Sequence, residues 1–133
     1  MTVDGNLAGF CAMIHQPHPK VKNMKRVHRL VILPQFQGMG LGEILSSHVA
    51  DLFFKQNIRI RIGSSHPSLY YRYSNSPLWT YKGKKKNEIV YDNKSIRNRF
   101  SSGDRSIFTF EYTGGEISTL EKKDLSLGQQ ILF

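Results

Sequence analysis

Apolar and polar positions alternate along this chain with two different periods, and the switches between them mark its elements. Residues 7–14, Leu-Ala-Gly-Phe-Cys-Ala-Met-Ile, form an apolar run entered from the turn Asp4-Gly5-Asn6, which predicts a strand. His15-Gln16-Pro17-His18-Pro19-Lys20 suits a loop. Residues 26–33 are rich in β-branched and apolar side chains and are stopped by Pro34, predicting a second strand. On an unbroken strand His28, Leu30 and Ile32 share one face, with Val27, Arg29, Val31 and Leu33 on the other. Between 43 and 56 the period lengthens. Ile44, Leu45, His48, Val49, Leu52 and Phe53 recur three and four apart, the stripe of an amphipathic helix. Ile58, Ile60 and Ile62 then alternate with Arg59 and Arg61, a strand apolar on one face and basic on the other. A short helix or turn follows in 67–73. Residues 82–104 show little periodicity and read as a long basic loop with room for a hairpin. Residues 106–112 alternate cleanly as a strand and end at Gly114-Gly115. The tail is weakly patterned.

Strand, strand, helix, strand, short helix, strand is the order of an α/β domain. The first two strands are close enough in sequence to be an antiparallel pair. The strand–helix–strand unit from 26 to 62 needs a parallel crossover, right-handed by default. The 133 residues suit one domain, burying roughly two-thirds of its unfolded surface. No window approaches the run of about 18 apolar residues that a membrane helix needs. The N-terminus lacks a basic region followed by an apolar one, so no secretory signal is read. Cys11 is the single cysteine and has no partner for an internal disulfide, which agrees with a cytoplasmic location. Within its apolar run it reads as a small hydrophobe in preference to a reactive thiol.

Charge changes the picture. Nineteen Lys and Arg against 10 Asp and Glu give +9, which favours polyanionic partners. The excess is concentrated between 82 and 105, where Lys82, Lys84, Lys85, Lys86, Lys94, Arg97, Arg99 and Arg105 face only Glu88, Asp92 and Asp104. Tyr81, Tyr91 and Phe100 interleave with them, as in many nucleic-acid contacts. A solvated loop accounts for the same run equally well.

The candidate chemistry lies between the second strand and the helix, in Pro34-Gln35-Phe36-Gln37-Gly38-Met39-Gly40-Leu41-Gly42. A helix start leaves several backbone N–H groups unpaired, with partial positive charge behind them. Glycines there remove the β-carbons that would hold a diphosphate away. The glycines alone would fit a tight turn as readily. A Walker A loop needs Lys-Ser/Thr after its last glycine, and none follows here. The dinucleotide fingerprint needs Gly-x-Gly-x-x-Gly, whereas this loop is Gly-x-Gly-x-Gly.

Val31-Ile32-Leu33-Pro34-x-x-Gln37-Gly38-x-Gly40-x-Gly42 resembles the central motif of GNAT-type N-acetyltransferases, Gln/Arg-x-x-Gly-x-Gly/Ala, with its preceding strand and proline. The likeness covers roughly 5–80 and extends to the strand at 106–112. His66-Pro67, Ser76-Pro77-x-Trp79 and Ser106-x-Phe108-x-Phe110-Glu111-Tyr112 are reminiscent of GNAT-like proteins from phages and prophages. The resemblance implies a mixed sheet with flanking helices, with acetyl-CoA as co-substrate. It implies a diphosphate cradle of Gly38, Met39, Gly40, Leu41 and Gly42, headed by Gln37, and a pantetheine arm paired to the backbone of Leu30, Val31 and Ile32. Many relatives carry Arg where Gln37 stands; Arg59, Arg61 or the run Lys84, Lys85 and Lys86 would supply the missing charge. The family places further strands and helices before a strand like that at 7–14, so the resemblance implies an N-terminally truncated domain, or one completed by another subunit.

Acetyl transfer to an amine needs a base and then an acid. His28, at the head of the motif strand, stands where several relatives place a catalytic His or Glu; a partly buried structural histidine is the alternative. Aligning His66 with the family's common Asn puts Tyr73 at the position of the acidic tyrosine, with aromatic packing as the alternative. Tyr70 and Tyr71 lie beside it. The usual Tyr-x-x-x-Gly-Phe ending is replaced by Tyr73-Ser74-Asn75-Ser76-Pro77-Leu78-Trp79. His15, His18, His48 and His66 lack the companions of a zinc site, so no metal is expected. The resemblance therefore implies an acetyl-CoA-dependent N-acetyltransferase acting on an unidentified amine. A nucleic-acid-modifying member of the fold and a non-catalytic acyl-CoA-binding or nucleic-acid-binding module are the rival readings.

Overall fold

The computed structural model describes residues 1–86, 106–115 and 131–133. Its main sheet has five strands in the order β3-β4-β5-β7-β6, formed by β3 Gly9–His15, β4 Met24–Ile32, β5 Arg59–Ser64, β6 Trp79–Lys86 and β7 Ser106–Tyr112. A small second sheet joins β1 Thr2–Val3, β2 Asn6–Leu7 and β8 Ile131–Leu132. Two helices, α1 Leu41–Phe54 and α2 Pro67–Asn75, contribute to the core over one face of the main sheet. All neighbouring strands of that sheet are antiparallel except β4 and β5, which flank the α1 crossover as anticipated.

The sequence-predicted strand at 106–112 coincides with β7, while β4 begins two residues before its predicted start, as does α1. Lys82, Lys84, Lys85 and Lys86, read as part of a loop, belong to β6, which pairs with β7 at one edge of the sheet. A register shift between Tyr81 and Gly83 breaks its alternation, and lysines are a common guard on an edge strand. Both features hide the strand from pattern reading. The rest of the basic segment, 87–105, lies outside the described residues.

The face assignment on β4 also changes. β3 pairs Ala12 with Arg29 but Met13 with Val27, leaving His28 as the extra residue of a β-bulge. The bulge puts Val27 on the same face as Leu30 and Ile32, and all three pack against the core.

α1 meets the sheet through a seam that keeps Ile44 and Leu45 of its apolar stripe but is rotated away from Leu52. Leu41, Ile44, Leu45 and Ala50 are buried with Ser46 and Ser47, whereas Leu52 is 51% exposed. The serines receive the polar tips of core aromatics. Trp79 Nε1 donates to Ser47 Oγ at 2.8 Å, and the Tyr73 hydroxyl lies 2.7 Å from Ser46 Oγ. One turn on, the Tyr112 hydroxyl donates to Asp51 at 3.3 Å. Tyr73, Trp79, Phe110 and Tyr112 contact one another edge-on or tilted beneath the helix, so the aromatic layer is apolar in body and fully hydrogen-bonded at its tips. His48 stacks on Phe133 at 3.9 Å. No helix among the described residues is long and apolar enough to cross a membrane.

The alternation of β5 holds as expected: Ile60 and Ile62 are buried, and Arg59 and Arg61 turn to the opposite face. There Glu111 of β7 takes both arginines, Arg59 Nε at 2.7 Å and Arg61 Nε at 2.9 Å. Burial pushes the Glu111 pKa up, but the hydrogen bonds and charges of Arg61 and Arg59 outweigh it and hold the carboxyl below its ordinary value near 4.5. The native state therefore binds this proton less tightly than the unfolded chain. Its stabilisation is complete above the ordinary value and is lost as pH falls through the lowered one. Glu111→Gln should cost roughly 1–3 kcal/mol at neutral pH, since Arg59 stays solvent-facing, and should flatten the acid limb of stability. Urea denaturation between pH 3 and 7 checks both.

Candidate functional site

β4 and β5 share only three register pairs, Met24 with Arg59, Lys25 with Ile60 and Arg26 with Arg61. Beyond Arg26 the two strands part. Among the described residues, Val27 to Ile32 of β4 pair only with β3, and Ile62 to Ser64 of β5 only with β7. Each strand thus presents an unpaired backbone edge to the gap, and an unpaired edge accepts an extended ligand as an added strand.

On the helix face, a cavity of about 520 Å³ lies between the end of β4, the head of α1 and the start of α2. Its wall carries Leu30 and Ile32 from β4, and Gln37, Gly38, Gly40, Leu41 and Gly42 from the loop and first helical turn. Gly38 and Gly40 have φ of +84° and +77°, a left-handed backbone that side chains other than glycine rarely accept. Gly40 is the N-cap and offers no side-chain cap. Its carbonyl accepts from Glu43 N and Ile44 N, while the N–H groups of residues 38–42 find no acceptor among the described residues. Five donors at a helix head, beside a cavity and backed by the helix dipole, suit a diphosphate.

Of the remaining cradle candidates, Val31 and Met39 do not line this cavity. Met39 packs against the core instead. Val31 pairs with Phe10 of β3, one position out of phase with Leu30 and Ile32. Gln37 lines the wall, but its side-chain amide donates to the Ile32 carbonyl at 2.8 Å. It clasps the loop to the end of β4.

The wall also carries an arginine that sequence reasoning passed over. Arg59 and Arg61 are held by Glu111 on the opposite face, and the ammonium of Lys84 lies over the Phe108 ring. Arg72 of α2 lines the cavity, together with Ser68 and Leu69. The i, i+1, i+4 spacing of these three on one helix face was the available signal. Glu43, buried in the first turn of α1, lines the wall as well. His66 also faces the cavity and caps α2: its Nδ1 accepts from Ser68 N at 3.3 Å.

The proton-transfer candidates stand apart from these walls. His28 is exposed on the bulge and lines neither large cavity. Tyr73 is 1% exposed. Ser46 Oγ donates to the Glu43 carbonyl, so the tyrosine hydroxyl is the donor in their mutual bond. Burial above all, with the charges of Glu43 and Cys11, raises the Tyr73 pKa well above its ordinary value despite that hydrogen bond. Tyr70 and Tyr71 are partly exposed, and Tyr70 packs on Phe108. Burial also pushes the half-buried Cys11 thiol up to about 11, consistent with a packing residue. Among the described residues no group of three or more His, Cys, Asp or Glu is placed to hold a metal.

A second cavity, of about 470 Å³, opens from the same gap on the opposite face of the sheet, which carries no helix among the described residues. Arg26 and Val27 of β4 and Arg61, Ile62 and Gly63 of β5 form two sides of it, and Lys82 and Lys85 of β6 stand in its wall.

Known structures share this layout. The ribosomal-protein-S18-alanine N-acetyltransferase of Escherichia coli matches with a TM-score of 0.56 at 17% identity, over 85% of this chain and 67% of that one. An IAA acetyltransferase from Bacillus cereus matches at 0.57 and 15% identity, over 82% and 72%. A GNAT family acetyltransferase from Elizabethkingia anophelis, solved with acetyl-CoA bound, matches at 0.56 and 15% identity, over 82% and 70%. No curated protein matches the sequence. At such identities the structures speak for the fold. The family itself is shown by the sequence model of the acetyltransferase (GNAT) family, which matches residues 1–71, more than half of the chain. The chain with the split sheet and the glycine-headed helix belongs to the acetyltransferase (GNAT) family.

Proposed function

We propose that this protein is an acetyl-CoA-dependent N-acetyltransferase that moves the acetyl group directly to an amine. The observation that carries the reading is the row of five unpaired N–H groups at residues 38–42, set at one end of a cavity that follows the free edge of β4. The residues fit the coenzyme: backbone donors and Arg72 for the diphosphate, the Leu30 and Ile32 edge for an amide-bearing arm. When bound, acetyl-CoA supplies the thioester whose C–S bond breaks as the N–C bond to the amine forms. The chain's own work is to hold both partners at the gap and to move protons. His28, open to solvent on the bulge beside the gap, takes the ammonium proton through water in this reading. Tyr73 acts behind the wall, locking α2 to α1 through Ser46, and the departing thiolate is protonated from solvent.

Gly40→Asp should abolish acetyl-CoA binding in calorimetry, because it sets a carboxylate where the diphosphate sits. Asp is among the residues that tolerate a left-handed backbone, so an unchanged melting curve would show that the fold survives. Retained affinity would sink the cradle. A chain that binds acetyl-CoA yet releases no thiol with any amine would be a non-catalytic member.

His28→Ala should lower kcat by ~10²-fold while acetyl-CoA affinity in calorimetry stays unchanged; an unchanged kcat would exclude it as the base.

Tyr73→Phe should leave kcat within a few-fold of the parent and cost about 1 kcal/mol of stability through the lost bond to Ser46. A fall in kcat of ~10²-fold with unaltered stability would instead identify Tyr73 as the acid.

A further inference from the structure

The cavity on the opposite face of the sheet shares no wall residue with the one at the head of α1, yet it opens from the gap between β4 and β5. Five of its wall residues are cationic, Arg26, Arg61, Lys82, Lys84 and Lys85, and none is acidic. Arg61 is held by Glu111, and the Lys84 ammonium lies over Phe108. Arg26, Lys82 and Lys85 are different: among the described residues they have no carboxylate partner. Glu111 offers one negative charge to two arginines, so the surrounding sheet face remains net positive. Unbalanced cations around a concave wall concentrate anions. Gln16 stands in the same wall, and its side-chain oxygen is shielded from solvent without a hydrogen-bond partner among the described residues. An amide oxygen accepts from N–H. The space, about 470 Å³, is in the range of small-molecule sites and too confined for a polymer backbone with its bases.

We infer that this cavity is the acceptor site and that the acceptor is a small amine carrying an anionic group, carboxylate or phosphate. Arg26, Lys82 and Lys85 take the anion, which leaves the amine directed to the gap between Val27 and Ile62. The inference rests on the acetyltransfer reading for its chemistry but makes a binding claim of its own. Arg26, Lys82 and Lys85 are specificity residues here, and they should act on KM while kcat holds.

Matched amines test it: glycylglycine against its C-terminal amide, and O-phosphoethanolamine against ethanolamine, with spermidine as a cationic amine. Thiol release from acetyl-CoA is read alongside calorimetry of each amine without coenzyme. The anionic member of at least one pair should be favoured at least 10-fold in kcat/KM, through KM, and the pair that shows the preference identifies carboxylate or phosphate. Arg26→Gln/Lys82→Gln/Lys85→Gln, with Lys82→Gln as the milder variant, should erase that preference and leave acetyl-CoA affinity unchanged. Equal use of neutral and anionic amines, a preference for spermidine, or a preference that survives the triple variant would each overturn the inference. So would a single-stranded oligonucleotide that displaces the anionic amine with steep salt dependence, which would give the surface to nucleic acid. If acetyl-CoA fails to bind, the acetyltransfer reading falls. Direct binding of the anionic amines, and its loss in the triple variant, still decides the cavity.

Discussion

The parting of β4 from β5 after three shared residue pairs is the constraint on which the rest of this molecule depends. Two parallel neighbours that stayed paired would seal the sheet and leave no gap. The bulge at His28 sits two residues beyond the last shared pair, and a bulge bends its strand and increases its twist. β5 cannot follow, because Ile60 and Ile62 are fixed in the core and its far edge is laddered to β7. One extra residue in β4 thus frees two backbone edges and opens a cavity on each side of the sheet.

A gap alone would admit any extended chain. What makes it selective is the helix aimed at it. α1 can lie close to the sheet because its seam includes Ser46, Ser47 and Ala50, and it is held there by hydrogen bonds from Tyr73, Trp79 and Tyr112. Those bonds give the helix a fixed rotation as well as a fixed distance, and rotation decides where the N–H groups of its first turn point. The aromatic layer therefore sets the direction of those N–H groups without lining the cavity itself.

These dependencies explain which parts were legible in the sequence. The strand, Pro34, the glycines and the start of α1 are local features, each readable from a few neighbouring residues, and the structure puts them within two residues of where the pattern placed them. The bulge is not local. It exists only relative to β3, and strict alternation on β4 set Val27 on the wrong face. β6 was hidden because its lysines and its register shift erase a period of two. The serine seam looked polar because hydrophobicity, the basis of the stripe reading, ignores small residues that satisfy buried aromatic tips. Tyr73 shows the same limit from the other side. Its spacing from His66 is visible in the sequence, while the burial that turns its hydroxyl toward Ser46 is a property of the packed layer.

The excess of basic residues acquires a more specific meaning from the same geometry. On the helix face the donors are mainly backbone N–H groups, so the proposed recognition of a diphosphate there depends little on the net charge of +9. On the opposite face the donors are side chains on edge and central strands. Backbone dipoles at a helix head have a fixed direction and suit a ligand of invariant shape. Exposed lysines and an arginine are adjustable and screened by salt, and they suit a ligand defined by charge more than by outline. In the proposed reading the sheet separates two ways of binding an anion, one on each face, with the parting of β4 and β5 between them.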